Sequence, residues 1–144
     1  MVKTVLAPVA LLALSLLLPA AGARQAPRTM RLDFYHTGNS AGEVFSLDRA
    51  VVEPLAWPGN PRRAVDDSNL GKYFFEVSDA KTGRVLYSRG FASIYGEWET
   101  TDEAKTLRRT FHESLRFPAP DAPVQIALKK RDRQNQFREV WTTS

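Results

Sequence analysis

Hydrophobic and polar residues alternate along most of the chain after residue 28. From Thr29 onward, Met30, Leu32 and Phe34 alternate with more polar neighbours, and successive side chains of a β-strand point to opposite faces. A period of two therefore predicts strands that are buried on one face. The segments predicted as strands on this basis are residues 29–35, 43–53, 72–78, 84–89, 110–117, 124–129 and 137–141.

Two of these strands form a predicted hairpin over residues 72–89. Tyr73, Phe75 and Val77 share one face of the first strand, and residues 79–83 make the turn. Gly83 supplies the positive φ that such a turn needs, and the Asp79 side chain is placed to accept hydrogen bonds from the turn's own backbone.

Residues 54–71 predict a long connection, because proline and glycine recur throughout it. We predict that Trp57 anchors this connection to the core, since aromatic burial dominates the packing of small domains. The cluster over residues 66–69 carries oxygen atoms of the kind that bind Ca²⁺. Its spacing matches no EF-hand, however, and such side chains commonly bond the backbone of a turn.

Residues 90–108 predict a bent strand followed by a short helix. The segment 90–98 is rich in aromatic residues and glycine, which is typical of a bulged or bent strand. Thr100 and Glu103 have the spacing of a capping box, so we expect a helix over residues 100–108.

These elements predict an all-β fold, an antiparallel β-sandwich of about seven strands with at most one short helix. Strands separated by turn signals, with almost no helix between them, favour a sandwich over any βαβ architecture. The predicted domain spans residues 29–142, and residues 24–28 form a polar lead-in.

The first 23 residues have the pattern of a signal peptide. Lys3 is followed by an apolar run over residues 5–18, then by Pro19 and the small residues 20–23. A membrane anchor is the alternative, but the apolar run is shorter than the roughly 20 residues that a transmembrane helix needs. We therefore expect cleavage after Ala23, export to the periplasm or the cell exterior, and no membrane attachment after cleavage.

The amino-acid composition limits the kinds of binding partner and of metal or covalent site that this chain can have. The chain has 144 residues, no cysteine and a net charge of +4, so disulfides, thiolate metal ligands and lipid attachment at cysteine are excluded. Basic residues occur at 62–63, 108–109 and 129–131, but acidic residues are interspersed and the net charge is low. We expect no nucleic-acid partner, and we predict that Lys129, Lys130 and Arg131 protect an edge strand.

One segment comes close to a zinc-peptidase motif. His112 and Glu113 match the start of H-E-x-x-H, but Arg116 stands where the second histidine is needed, and arginine cannot ligate zinc. The motif also requires a helix, whereas this segment alternates as a strand. With His36 as the other histidine, we predict no metal site, no catalytic residue and no cofactor in this chain.

Aromatic residues cluster over residues 87–98. A glycan site could use such rings as stacking platforms, and the weak candidates for binding are Tyr87, Tyr95 and Trp98. Stacking needs exposed rings, however, and alternation buries about half of them. A free-standing secreted module that binds a glycan or a surface protein is therefore the alternative function.

Several segments together resemble a known family. They are residues 30–39, 57–61, 69–76, 86–100, 112–118, 129–132 and 137–141, of which the string Leu-Tyr-Ser-Arg-Gly-Phe-Ala-Ser-Ile-Tyr-Gly-Glu-Trp-Glu-Thr at 86–100 is the most specific. These segments are similar to the N-terminal domain of the IgA-peptidase-type zinc metallopeptidases, metallopeptidase family sixty-four. The similarity spans nearly all of residues 29–142.

The resemblance implies an accessory role. In that family an N-terminal β-sandwich precedes a separate catalytic domain with the H-E-x-x-H zinc site, so zinc is expected only in that missing domain. No active-site residue of the family has a matching position here. The implied function is a non-catalytic accessory domain, truncated before the catalytic domain, with a metallopeptidase catalytic domain or a protein substrate as partner.

Overall fold

The computed structural model describes residues 26–144. The predicted signal peptide and the first two residues of the lead-in lie outside the described residues. Seven strands make up most of the domain: β1 (Arg28–Asn39), β2 (Gly42–Ala56), β3 (Tyr73–Asp79), β4 (Val85–Phe91), β5 (Arg109–Pro118), β6 (Val124–Arg131) and β7 (Phe137–Thr143). One short helix, α1 (Ile94–Trp98), and two 3₁₀ turns, Pro61–Arg63 and Glu103–Lys105, complete it.

The strands form two antiparallel sheets, which confirms the all-β prediction. One sheet has the order β2-β1-β5 and the other has the order β4-β3-β6-β7. Within the described part of the chain, no helix is both long enough and apolar enough to cross a membrane.

The main apolar core lies between the two sheets. Both sheets contribute fully buried side chains, so their inner faces pack directly on each other. The buried members are Leu32, Phe34, Leu115 and Phe117 from the three-stranded sheet and Phe75, Val77, Tyr87, Ile126 and Leu128 from the four-stranded sheet.

Strand β2 extends two residues beyond Pro54, where the sequence predicts its end. The pairing with β1 is irregular here, because Arg28 faces Ala56 while Met30 faces Val52. Pro54 lies inside this irregularity. Proline has no amide hydrogen, but the irregular pairing requires no inter-strand hydrogen bond from residue 54. The strand therefore continues past Pro54.

The β3–β4 hairpin confirms its prediction in detail. The Asp79 carboxylate accepts hydrogen bonds from the backbone N–H groups of Lys81 at 3.0 Å and Thr82 at 2.7 Å. Gly83 has a φ of 71°, which is the left-handed conformation that favours glycine.

The bent strand predicted over residues 90–98 is wrong beyond Phe91. Residues 94–98 form α1 instead, and the Ser93 hydroxyl accepts a hydrogen bond from the Gly96 N–H at 2.8 Å. Serine is a favoured N-cap residue because its oxygen pairs with an otherwise unpaired helix N–H. The aromatic content of this segment reflects burial, not a strand.

The predicted capping box is wrong as well. The Thr100 hydroxyl donates to the Glu97 carbonyl oxygen at 2.7 Å, and the Glu103 carboxylate accepts from the Trp98 indole N–H at 2.6 Å. Each side chain thus has a partner outside the box. The helix expected over residues 100–108 is reduced to the 3₁₀ turn Glu103–Lys105.

The long connection between β2 and β3 is attached to the core by Trp57, as predicted. Its ring lies edge-on to the Tyr87 ring, with centroids 5.6 Å apart. The backbone N–H of Trp57 donates to the Pro27 carbonyl oxygen at 2.7 Å.

The same connection covers the free edge of β4. The Ser88 N–H donates to the Ala64 carbonyl oxygen at 3.0 Å, and the Gly90 N–H donates to the Asp66 carboxylate at 2.9 Å. The hydrogen bond from Gly90, with others from Ser68, lowers the pKa of Asp66 to about 2. Covering an edge in this way blocks pairing with a strand of another molecule.

The basic run 129–131 does not protect an edge, and that prediction is wrong. Strand β6 lies between β3 and β7. Lys129 pairs with Glu76 at 2.7 Å. Arg131 binds the end of the long connection, because its guanidinium donates to the Gly71 carbonyl oxygen at 2.9 Å and to the Asn69 carbonyl oxygen at 2.8 Å.

Arg131→Lys is expected to lower the free energy of unfolding by about 1–2 kcal/mol. Lysine cannot reproduce the planar fork that binds two carbonyl oxygens while lying 4.1 Å from the Phe137 ring centroid. Urea denaturation followed by circular dichroism measures the change. Arg138→Lys is the matched control, because Arg138 is 71% exposed and a change of less than about 0.5 kcal/mol is expected there. Equal losses in both variants would contradict the role of Arg131.

Candidate functional site

A cluster of charged and aromatic side chains lies at one end of the sandwich, where the turn between β1 and β2 meets α1. We call it the end cluster. Every strand except β4 and β7 contributes to it or flanks it, and α1 covers it. Its members are His36, Glu43, Lys72, Tyr73, Tyr95, Glu99, Glu113 and Lys130.

His36 lies at the centre of the end cluster and is 1% exposed. Its Nε2 is 2.7 Å from a Glu43 oxygen and its Nδ1 is 3.2 Å from a Glu113 oxygen. Both carboxylates accept hydrogen bonds, and only the imidazolium form carries an N–H on each nitrogen. Burial alone would lower the pKa of His36, but the hydrogen bonds to Glu113 and Glu43 outweigh it and raise the pKa.

Glu43 connects the two sheets. It accepts hydrogen bonds from the Tyr73 hydroxyl at 2.7 Å and makes an ion pair with Lys130 at 2.8 Å. Burial alone would raise the pKa of Glu43, but hydrogen bonds from His36, Lys130 and Tyr73 outweigh it and lower the pKa to about 2. Burial and the bond to Glu43 raise the pKa of Tyr73 above its ordinary range.

Glu99 balances the remaining positive charge. Lys130 Nζ lies 2.9 Å from one Glu99 oxygen, and Lys72 Nζ lies 2.5 Å from the other. The second contact is an ion pair without a well-directed hydrogen bond, because that buried oxygen has no aligned donor. With His36 protonated, the end cluster holds three cations and three carboxylates, so it is neutral overall: His36, Lys72 and Lys130 against Glu43, Glu99 and Glu113.

Tyr95 attaches α1 to the end cluster. Its ring stacks on His36 with centroids 3.7 Å apart, and its hydroxyl donates to the Asn39 carbonyl oxygen at 2.8 Å. Burial, and then the charges of Glu43 and Glu99, raise the pKa of Tyr95 to about 12. The hydroxyl therefore stays a hydrogen-bond donor at neutral pH. The end cluster thus joins both sheets and α1 through paired groups. This arrangement favours a structural role, which makes the domain rigid, over a catalytic role.

We expect the free energy of unfolding to fall as pH rises from 6 to 9. The pKa of His36 is higher in the folded state than the ordinary value of 6.5. Its contribution is therefore fully present below about pH 6.5 and is lost as pH rises through the folded-state pKa. Urea denaturation at pH 6, 7.5 and 9 measures the slope.

The control for this pH dependence is the exposed His112. His112→Gln should keep the alkaline loss of stability, whereas His36→Gln should flatten it. A wild-type protein that gains stability from pH 6 to 9 would contradict the imidazolium assignment.

The three aromatic residues predicted as weak binding candidates are buried. Tyr87 is 4% exposed, Tyr95 is 0% exposed and Trp98 is 9% exposed. Tyr87 belongs to the main core, while Tyr95 and Trp98 form a smaller cluster with Ala104 and Phe111. A stacking glycan needs a free ring face, so the structure assigns these rings to packing.

His112 and Glu113 lie on opposite faces of the three-stranded sheet. Glu113 faces the interior and bonds His36, whereas His112 is 43% exposed and lies 3.1 Å from Asp48. Strand β5 alternates here as the sequence predicts. The two side chains cannot face one metal ion as the helical H-E-x-x-H motif requires.

His112 belongs to a different group on the outer face of that sheet. Among the described residues, Asp33, Asp48 and His112 bring possible ligand atoms within 4.8 Å of one another. The Asp33 carboxylate, however, already accepts from Arg31 at 2.8 Å and Ser114 at 2.7 Å. Burial would raise the pKa of Asp33, but these bonds and one from Arg49 lower it to about 2. The guanidinium groups of Arg31 and Arg49 both bind the Asp33 carboxylate. Their positive charges would repel a metal ion, so this group does not fit a cation site.

Sequence reasoning missed the end cluster, although a signal for it exists. His36 continues the series Met30, Leu32, Phe34 on the buried face of β1, and Glu113 lies between Phe111 and Leu115 on the buried face of β5. A histidine and a carboxylate at inward positions of two strands indicate a buried pair. Their adjacency depends on the pairing of β1 with β5, in which His36 faces Phe111 and Phe34 faces Glu113.

Comparison with known proteins gives one match to a family. The family model described as Peptidase M64 N-terminus matches residues 23–142. None of the curated proteins matches the chain. The family match covers both sheets, α1 and the connections between them, and it agrees with the resemblance found in the sequence. This chain therefore belongs to the Peptidase M64 N-terminus family.

Proposed function

We propose that this protein is the non-catalytic accessory domain of a secreted M64 zinc metallopeptidase, and that it packs on the peptidase domain and orients it. The observation that carries the proposal is the family match over residues 23–142. The proposal includes export through the signal peptide.

The arrangement of the described residues supports a positioning role. The charged groups of the end cluster are paired with one another, and the long connection is bonded to β4 at two backbone sites. A domain that orients a second domain must be rigid, because a loose support loses the geometry that it holds.

Binding to a peptidase domain is the direct test. The purified protein is titrated into the catalytic domain of an M64 peptidase that was produced without its own N-terminal domain, and binding is followed by calorimetry. We expect a one-to-one complex and a higher melting temperature of the catalytic domain, since a ligand that binds the folded state stabilises it. No binding at about 100 μM protein, which means an affinity weaker than about −5.5 kcal/mol, would overturn the proposal.

Two further measurements test the finer parts of the proposal. Sequencing of the secreted protein should give Arg24 as its first residue, and an intact Met1 would contradict export with cleavage. Zinc-dependent proteolysis by the purified protein itself would contradict the non-catalytic role.

A further inference from the structure

An apolar groove of about 490 Å³ lies at the end of the sandwich opposite the end cluster. We call it the open-end groove. Met30 and Leu32 of β1, Leu47 and Ala50 of β2, and Phe117 of β5 line it from the three-stranded sheet, and Val124 and Ile126 line it from β6. Prolines 120 and 123 with Ala122 close one side, and Thr143 and Ser144 lie at its rim.

The open-end groove is an exposed continuation of the hydrophobic core. Its deepest residues, Leu32, Phe117 and Ile126, are core members that are at most 5% exposed. Leu47 is 45% exposed, and Ala50 is exposed as well although it pairs with the inward-facing Leu32. Apolar side chains that face inward and yet remain exposed leave an opening in the core that the apolar side chains of a partner can fill.

A second apolar pocket, of about 650 Å³, lies beneath the long connection and is lined by Trp57, Tyr87 and Pro118 among others. Other parts of the sandwich edge are covered. Paired charges and α1 close the opposite end, and the long connection covers β4. The open-end groove has no such cover, and its volume lies within the 300–1,000 Å³ that is typical of binding pockets.

The position of the last strand points to the occupant. Thr143, at the end of β7, pairs with Ile126 of β6 and lies at the rim of the open-end groove. The match to the Peptidase M64 N-terminus family ends at residue 142, one residue before the end of β7. In such a peptidase the polypeptide leaves this domain beside the groove, so the next domain is held at a high effective concentration there.

We infer that the open-end groove is the docking site for the M64 peptidase domain, and that it receives apolar side chains from that domain. This inference rests on the proposed function and names the surface through which it operates. Apolar anchors that fill a pocket at the centre of an interface carry most of its binding energy.

The test compares two glutamate substitutions on β2. Ala50→Glu places a charge inside the open-end groove, and Val44→Glu places the same charge on the outer face, where Val44 is 57% exposed and pairs with Thr37. Both proteins are titrated into the catalytic domain of an M64 peptidase that lacks its own N-terminal domain. We expect Ala50→Glu to weaken binding at least tenfold and Val44→Glu to change it less than threefold.

A second variant keeps the test decisive if Ala50→Glu fails to fold. Leu47→Ala removes one wall of the groove and adds no charge, and we expect it to weaken binding about threefold to tenfold. Circular dichroism and thermal melting establish that each variant is folded.

The outcomes separate this inference from the proposed function. If the wild type does not bind the catalytic domain, the proposed function fails and this inference fails with it. If the wild type binds and both groove variants bind equally well, the inference is overturned while the proposed function stands. Self-association of the wild type that Ala50→Glu abolishes would assign the groove to a second copy and would also overturn the inference.

Discussion

Replacing Glu43 by glutamine is expected to lower the free energy of unfolding by about 3–5 kcal/mol. Glutamine keeps the shape of the side chain but removes the charge that faces His36 at 2.7 Å and Lys130 at 2.8 Å. Removal of one partner from a buried ion pair leaves the other charges without compensation. The measurement is urea denaturation at pH 6.5, where His36 is protonated in the folded state.

Glu76→Gln is the matched control for this prediction. Glu76 pairs with Lys129 at 2.7 Å, but the two side chains are 26% and 24% exposed. A pair in contact with water contributes at most about 1 kcal/mol. If Glu43→Gln lowers the free energy of unfolding no more than Glu76→Gln does, the end cluster is solvated. The rigidity that we assign to the end cluster would then have another source.

The strands were predictable because each has a buried face. Alternation around Phe34, Phe75 and Leu115 marks the inner faces of β1, β3 and β5, and all three side chains are at most 3% exposed. The hairpin was predictable to the turn, since Asp79 and Gly83 have local conformational roles that need no tertiary information.

The short helix α1 was not predictable from the pattern. It has five residues, and Tyr95, Gly96 and Trp98 are all buried. A helix of this length shows no clear period of 3.6, and a buried aromatic segment next to a strand fits either element. Ser93, as a favoured N-cap residue, was the local signal that a helix begins at residue 94. The capping-box spacing of Thr100 and Glu103 instead led to a helix being predicted at residues 100–108.

The order of the strands in each sheet could not be predicted from the sequence. The wrong prediction that residues 129–131 protect an edge strand follows from that. A lysine-rich strand is typical of a sheet edge, but β6 is central and its cations pair with Glu76, Glu43 and Glu99. The open-end groove is hidden from the sequence for the same reason, because it forms only where β1, β2 and β6 meet.

Replacing Gly38 by alanine is expected to lower the free energy of unfolding by about 2–5 kcal/mol, from overpacking and from the loss of a buried hydrogen bond. A Cβ atom at Gly38 would lie 2.2 Å from the Gly42 carbonyl oxygen and 2.4 Å from the Tyr95 hydroxyl oxygen. That hydroxyl shares its one hydrogen between the Asn39 and Gly42 carbonyl oxygens at 2.8 and 3.2 Å, so it cannot move without weakening this bond. Urea denaturation again measures the change.

Gly42→Ala in the same hairpin is the control. A Cβ atom there meets no atom within 4 Å, and Gly42 is not among the residues with positive φ. Alanine should therefore be neutral or stabilise the protein by about 0.4–1 kcal/mol, because it restricts the unfolded chain. The difference between the two variants measures how tightly the β1–β2 turn is packed against α1. Equal stability of both variants would mean that Tyr95 does not hold the turn, and that the end cluster joins the sheets without the helix.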